Sequence, residues 1–258
     1  MDSIAGLFRA AATDRRHGAA EIERRLVDAL LQRRAAWAAE ALAAGAAELR
    51  EGQPAMANVK NLARWVTDGD AAAVEERLRR RARVLADLDE RLAGAAWPWI
   101  AGRRRVLTIS RSSSVAAVLS GAWDRGWRGE VVVFDGSPAG GGEEQATRLA
   151  EAMPSVCSQP DATMSSWFDD ERTVVVVGAD AVSPSRVINV CGTAALLEIA
   201  AVREVPVVVA ADSGKDLPDD ELAEMLGAGP VAEAPGVRRR WPLFEAAAMS
   251  LVTERVCE

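Results

Sequence analysis

The spacing of apolar residues changes near residue 100. Before it, apolar positions recur every three or four residues, the period of a helix with one buried face. After it, they come in short unbroken runs separated by helical stretches. In the first part, IERRLVDALLQRRAAWAAEALAA places Ile22, Leu26, Leu30 and Trp37 near one face, with arginines opposite. Gly52-Gln53-Pro54 breaks that run. Met56, Val59, Leu62 and Val66 mark a second amphipathic helix. Asp68-Gly69-Asp70 is a turn and an N-cap for a third helix, expected from Ala71 to about Leu92. The alternating Glu and Arg of this third helix read as a solvated face. Gly94 to Pro98 is expected to end the helical part, with Trp97 and Trp99 packed between the two halves.

From Arg105 onward strands and helices alternate. RVLTIS, EVVVFDG, SVCS, TVVVVG and VPVVVAAD are strands. SSSVAAVLSGAWDRG, GEEQATRLAEAM and the segment from Thr193 to Val202 are helices. Crossover helices of about ten residues imply a parallel sheet with Rossmann-like architecture. The expectation is an α/β fold with an N-terminal helical domain over residues 1–100 and a Rossmann-like parallel-sheet domain over 101–258.

Composition narrows the function classes. The chain has 258 residues and a formal net charge of -7, so no nucleic-acid footprint is expected. No apolar run is long enough to span a bilayer and no signal-peptide core is present, so a cytoplasmic protein with no membrane partner is expected. Lys60 and Lys215 are the only lysines, which singles out Lys215. Cys157, Cys191 and Cys257 form neither a CxxC nor a disulfide framework. His17 is the only histidine, and nothing around it resembles a nucleophile elbow. Neither GxGxxG after the first strand nor GxxxxGK[ST] occurs, and no cofactor or metal is expected. Gly140-Gly141-Gly142 opens a helix after a strand and is read as a flexible turn rather than a phosphate cradle.

The candidate chemistry sits at the strand ends. In an open α/β sheet, ligands occupy the crevice beyond the carboxyl ends of the strands. The stretch 173–193, TVVVVGADAVSPSRVINVCGT, carries Asp180 just past such an end. Small, turn-prone residues then lead to Gly192 and Thr193 at a helix start, where free N–H groups favour an anion. Asp180 capping a turn and Thr193 capping a helix is the plainer alternative. The first strand ends in Ser110-Arg111-Ser112-Ser113-Ser114, the second in Asp135, Ser137 and Pro138, the last in Asp212, Ser213 and Lys215. Hydroxyls, a guanidinium and helix amides at one sheet edge suit a hydroxyl-rich anion such as a sugar phosphate.

Together these segments resemble one family. It holds the ribose-1,5-bisphosphate and methylthioribose-1-phosphate isomerases and the regulatory alpha, beta and delta subunits of the eukaryotic translation-initiation exchange factor. VVVVGADAVSPSRVINVCGT resembles its GAD…N-x-x-GT signature, and VLTISRSSSV its first Rossmann strand and loop. Asp161-Ala162, VPVVVAADSGK, PLFEAAAMSLVTERV and, upstream, GQPAMANVKNLA fall where related segments are expected. The resemblance implies a helical domain on a Rossmann-like domain and a homodimer formed through the latter. The Arg- and Ala-rich composition implies a bacterial source.

The resemblance also implies roles. In the family's isomerases a cysteine after the first strand and the aspartate of GAD share acid–base work; these carry over to Ser110 and Asp180, the candidate catalytic pair. A thiol titrates near ~8.5, whereas a serine hydroxyl is a far weaker acid, and matched acidity is how general acid–base catalysis gains its ~10²–10⁴-fold. The family's Arg-Pro pairs fall on Gln53-Pro54 and Ser137-Pro138, which removes bidentate phosphate grips. Arg111 is placed to restore part of the charge, and Lys215 matches a ligand-binding lysine. Gly18, Gln53, Arg111, Ser112, Ser137, Asn189, Gly192, Thr193 and Lys215 are therefore the expected ligand-binding residues. The expected activity is binding of a small phosphorylated sugar or nucleotide without standard isomerase chemistry. An aldose–ketose isomerase using Asp180, and a translation-regulatory subunit, are the alternatives.

Overall fold

The structure is a computed structural model, and it describes residues 3–14, 18–169, 171–228, 231–233 and 240–258. Helices α1 (Ile4–Thr13), α2 (Ala19–Gln32), α3 (Ala39–Gly52), α4 (Ala57–Trp65) and α5 (Ala71–Ile100) form the first part. The single run expected up to Gly52 is two helices, because the chain breaks after Gln32. The Trp37 indole folds back and donates to the Leu30 carbonyl at 3.0 Å, a second bond on an oxygen that also accepts the Arg33 N–H at 3.0 Å. The Arg34 guanidinium stacks 4.8 Å over the same ring.

The expected end at Gly94–Pro98 is also corrected. Helix α5 runs on through Pro98 to Ile100. A proline removes one N–H and crowds the preceding turn. Here Ala96 and Ile100 on either side are fully buried, and that packing outweighs the local cost. Gly121 on the next helix lets it close onto α5, since a Cβ there would lie 2.4 Å from that of Ala93.

The second part alternates as expected: β1 (Arg105–Ile109), α6 (Ser113–Asp124), β2 (Glu130–Phe134), α7 (Gly142–Ala150), β3 (Val156–Gln159), β4 (Thr173–Val177), then β5 (Ala181–Val182), β6 (Arg186–Val190), α8 (Thr193–Val202), β7 (Val207–Ala210), α9 (Asp219–Ala228), β8 (Val231–Glu233), β9 (Arg240–Pro242), β10 (Phe244–Ala248) and β11 (Glu254–Val256). Six strands pair in parallel in the order β11-β7-β4-β1-β2-β3. The chain order reverses between β1 and β4, which makes their carboxyl ends the switch point of the sheet. All five residues of both strands are buried, as continuous apolar runs in a covered parallel sheet should be.

Residues 181–190 are not a turn-rich link. They form β5 and β6, which with β10 make a small antiparallel sheet beside the switch point. One continuous apolar core joins Leu30, Leu62, Leu85 and Ile100 of the helical half to Val106, Val131 and Val174 of the sheet. Trp97 and Trp99 pack partly buried against it. No described helix is long and apolar enough to cross a membrane.

Candidate functional site

At the end of β1 the chain turns sharply. Ser110 adopts φ +58°, is buried, and its N–H donates to the Phe134 carbonyl at 2.8 Å. Its hydroxyl donates to the Gly140 carbonyl. The glycine loop after β2 lies directly on this serine: a Cβ on Gly136 would sit 2.6 Å from the Ser110 Cβ. Ser112 then caps α6, accepting from the Val115 N–H at 3.3 Å. At the end of β4, Gly178 permits a close approach, since a Cβ there would lie 2.3 Å from the Ser112 hydroxyl oxygen. The ends of β1 and β4 therefore meet through Ser112 and Gly178.

Asp180 follows two residues later. Its N–H donates to the Ile188 carbonyl at 2.8 Å, and its carbonyl accepts from the Ala57 N–H at 3.2 Å, the first N–H of α4. The helical half thus closes on the strand end that carries the carboxylate. The Lys215 ammonium is buried and donates to the Ala179 carbonyl at 2.6 Å. Burial raises the Asp180 carboxyl from 3.8 to about 6, with the Lys215 charge pulling the other way. The Lys215 ammonium thus bonds the residue before Asp180, and its charge acts on the Asp180 carboxyl. Asn189 is buried nearby in β6 and donates to the Thr193 hydroxyl at 3.1 Å.

Several anion-receptive positions around the switch point are already served by the chain's own carboxylates. Gly192, at φ +96°, starts α8 against Ile109, but the Ala194 N–H donates to Glu245 of β10 at 2.8 Å. The Gly136 and Ser137 N–H groups both donate to Asp161, at 2.9 and 2.7 Å. Helix α7 carries Glu143 and Glu144 in its first turn. Helices α4 and α6 differ: neither has an acid in its first turn, and α4 has no side-chain cap. Their positive ends lie at Asp180 and at the switch point, respectively.

The other expected residues are dispersed. Arg111 is exposed and pairs with Glu144 at 3.2 Å. Ser137 is exposed on the glycine loop. Gln53 is buried and turned away, with its amide donating to the Ala11 and Asp14 carbonyls at 3.1 and 2.7 Å, which fastens the end of α1. Gly18 precedes α2 in the open. Its neighbour Ala19 accepts from Asn58 of α4 at 2.8 Å, so that segment is one side chain away from the helix touching Asp180. His17 lies outside the described residues. A groove of about 760 Å³ between α2, α5 and α6 reaches Ser113 and Ser114, with Arg24, Arg25 and Arg125 on its walls. Among the described residues, no group of three or more His, Cys, Asp or Glu is placed to hold a metal ion.

Sequence reasoning missed a buried charged cluster beside the turn that carries Lys215. Arg81 of α5 grips Glu23 of α2 with two hydrogen bonds, at 2.6 and 2.7 Å, and also donates to Asp212 beyond β7. Glu23 and Asp212 are fully buried. Desolvation raises the Glu23 carboxyl above its ordinary value, against the pull of Arg81. The helix expected to show only a solvated charged face therefore turns one of its arginines inward. The signal was present: Val74, Leu78, Arg81, Leu85, Leu88 and Leu92 recur at alternating steps of four and three.

Comparison with known proteins gives a consistent picture. A family model described as the initiation factor 2 subunit family matches residues 4–222. A ribose 1,5-bisphosphate isomerase of Haloterrigena turkmenica is 31% identical over 187 residues, 69% of this chain and 57% of that protein. A ribose 1,5-bisphosphate isomerase of Archaeoglobus fulgidus is 31% identical over 122 residues, 47% of this chain and 39% of that protein. The matches thus span about half the length of these curated relatives. The solved structure of the translation initiation factor eIF-2B of Pyrococcus horikoshii OT3 superposes with a TM-score of 0.82 at 24% identity, covering 98% of this chain and 94% of that one.

Proposed function

The chain belongs to the initiation factor 2 subunit family, and from that premise we propose that it binds a small phosphorylated sugar at the switch point without turning it over at an isomerase's rate. The observation that carries this reading is the Lys215 ammonium held on the Ala179 carbonyl, with its charge acting on Asp180, at the end of β4. A buried ammonium and the positive ends of α4 and α6 attract a phosphate. Asp180 and Asn189 offer acceptors and donors to sugar hydroxyls.

Ser110 supports the limit on turnover. Its hydroxyl occupies the position where a stronger acid would serve and is engaged with the Gly140 carbonyl. Moving a proton between neighbouring carbons needs a group that donates and recovers it near neutral pH. Asp180, at about 6, meets that requirement alone. That value also favours a second reading, an aldose–ketose isomerase in which Asp180 is the acid–base group.

One experiment separates the two. The protein is incubated with ribose 1,5-bisphosphate in D₂O; calorimetry follows binding and NMR follows the C2 proton. Binding without exchange is the expected result. Exchange that disappears in Asp180→Asn establishes the isomerase instead, and no binding to this or to 5-methylthioribose 1-phosphate removes both. The same reading has the chain act as a homodimer through residues 101–258, which light scattering tests.

A further inference from the structure

Contacts from the helical half converge on the three-residue turn Ser213–Lys215. The Asn61 amide of α4 donates one hydrogen to the Gly214 carbonyl and the other to the Asp216 carbonyl, both at 2.9 Å. These two carbonyls bracket Lys215. Arg81 of α5 donates to the Asp212 carboxylate, whose same oxygen accepts the Gly214 N–H at 2.9 Å. The Lys215 N–H donates to the Asp212 carbonyl at 3.1 Å. Gly214 has no room for a side chain, because a Cβ would lie 2.3 Å from the Arg81 guanidinium nitrogen.

A lysine side chain carries large rotamer freedom, and its ammonium is a point charge without directional grip. Its aim is therefore set by the backbone from which it springs. Here that backbone is tied on both sides of Lys215 to helices outside the sheet. Asp216 is already paired with Arg255 at 2.6 Å, so it does not draw the ammonium away. We propose that Asn61 and Arg81 are positioning residues for Lys215: they hold the turn so that the ammonium stands beside Asp180 in the ligand cleft. This rests on the reading of that cleft as the ligand site. Asn61 and Arg81 touch no ligand in it; they act through the turn.

The test uses Asn61→Leu, which removes both donors at similar volume, and Arg81→Lys, which keeps the charge and loses the fork. Lys215→Met is the reference for a cleft without its ammonium. The Asp180 carboxyl titration is followed by ¹³C NMR and ribose 1,5-bisphosphate binding by calorimetry. The Lys215 charge favours ionised Asp180. Asn61→Leu is expected to raise the Asp180 midpoint by about half a unit or more, toward Lys215→Met, in a folded protein. An Asp180 midpoint unchanged from the wild type, with Lys215→Met shifted, overturns the proposal. Arg81→Lys decides in the same way should Asn61→Leu not fold. A shifted midpoint in a protein that binds no sugar phosphate upholds the positioning and removes the functional reading, so the two fail separately.

Discussion

Lys215 donates to the carbonyl of Ala179, the residue immediately before Asp180, at 2.6 Å. The lysine comes from the end of β7 and the aspartate from the end of β4, neighbouring strands in the sheet. Burial and the Lys215 charge pull the Asp180 carboxyl in opposite directions. Burial wins over the ammonium, and Asp180 is held at about 6 rather than 3.8.

A carboxyl raised in this way binds its proton more tightly in the folded chain than in the unfolded one. Its contribution to stability is complete below 3.8 and is lost as pH climbs to about 6. Asp180→Asn is therefore expected to stabilise the protein at neutral pH by up to about 3 kcal/mol, at roughly 1.4 kcal/mol per unit. The melting temperature of the variant exceeds that of the wild type at neutral pH, and the two curves converge below 3.8. A variant no more stable at neutral pH counts against burial as the cause.

Lys215→Met should move Asp180 further up from about 6, because the one favourable charge is gone. Binding of ribose 1,5-bisphosphate is expected to fall roughly tenfold or more, the worth of one charge-assisted hydrogen bond. Calorimetry at several pH values checks it. Equal affinity in the variant places the phosphate elsewhere.

Asp180 and Lys215 were legible in the sequence because the strand-end rule needs only a buried run followed by a polar residue. The helix from Thr193 to Val202 was legible because its signals are local, a Gly-Thr start followed by a run of helix formers. Glu245 was not: it reaches the start of α8 only because β10 pairs antiparallel with β6, placing Glu245 opposite Asn189. That pairing joins segments more than fifty residues apart, and nothing local in Phe244–Ala248 announces it. Val187, Ile188 and Val190 did mark a strand, but the flanking Ser-Pro-Ser reads as a turn. Glu23 and Arg81 hid inside apolar stripes, where a charge is read as solvated unless its partner on another helix is known.

Those two residues set the next expectation. Arg81→Met leaves the Glu23 and Asp212 carboxylates buried without their cation. Breaking a buried pair costs about 3–5 kcal/mol, while replacing the whole group by neutral side chains is much milder. Denaturant unfolding should show the single variant to be severely destabilised and the triple variant Glu23→Gln, Arg81→Met, Asp212→Asn to recover much of the loss. A single variant within about 1 kcal/mol of wild type, the scale of an exposed ion pair, rules out the buried-charge account.

Ser110 offers the sharpest functional expectation. Its backbone is already set in the left-handed region at φ +58°, and its side chain faces the glycine loop rather than the core interior. Ser110→Cys changes one atom, adds modest bulk, and supplies an acid near ~8.5 in place of a hydroxyl. The glycine loop must give slightly, because Gly136 and Gly141 already lie close to Ser110. The cost is a small loss of stability, of order 1 kcal/mol, typical of mild overpacking. With Asp180 unchanged beyond the end of the neighbouring strand β4, the variant then holds two groups that titrate within reach of neutrality. Solvent exchange at C2 of ribose 1,5-bisphosphate, absent or slow in the wild type, is expected to rise by about tenfold or more, and to vanish again in Ser110→Cys combined with Asp180→Asn. If the thiol variant binds the sugar phosphate and still shows no exchange, the hydroxyl at residue 110 is not what limits turnover.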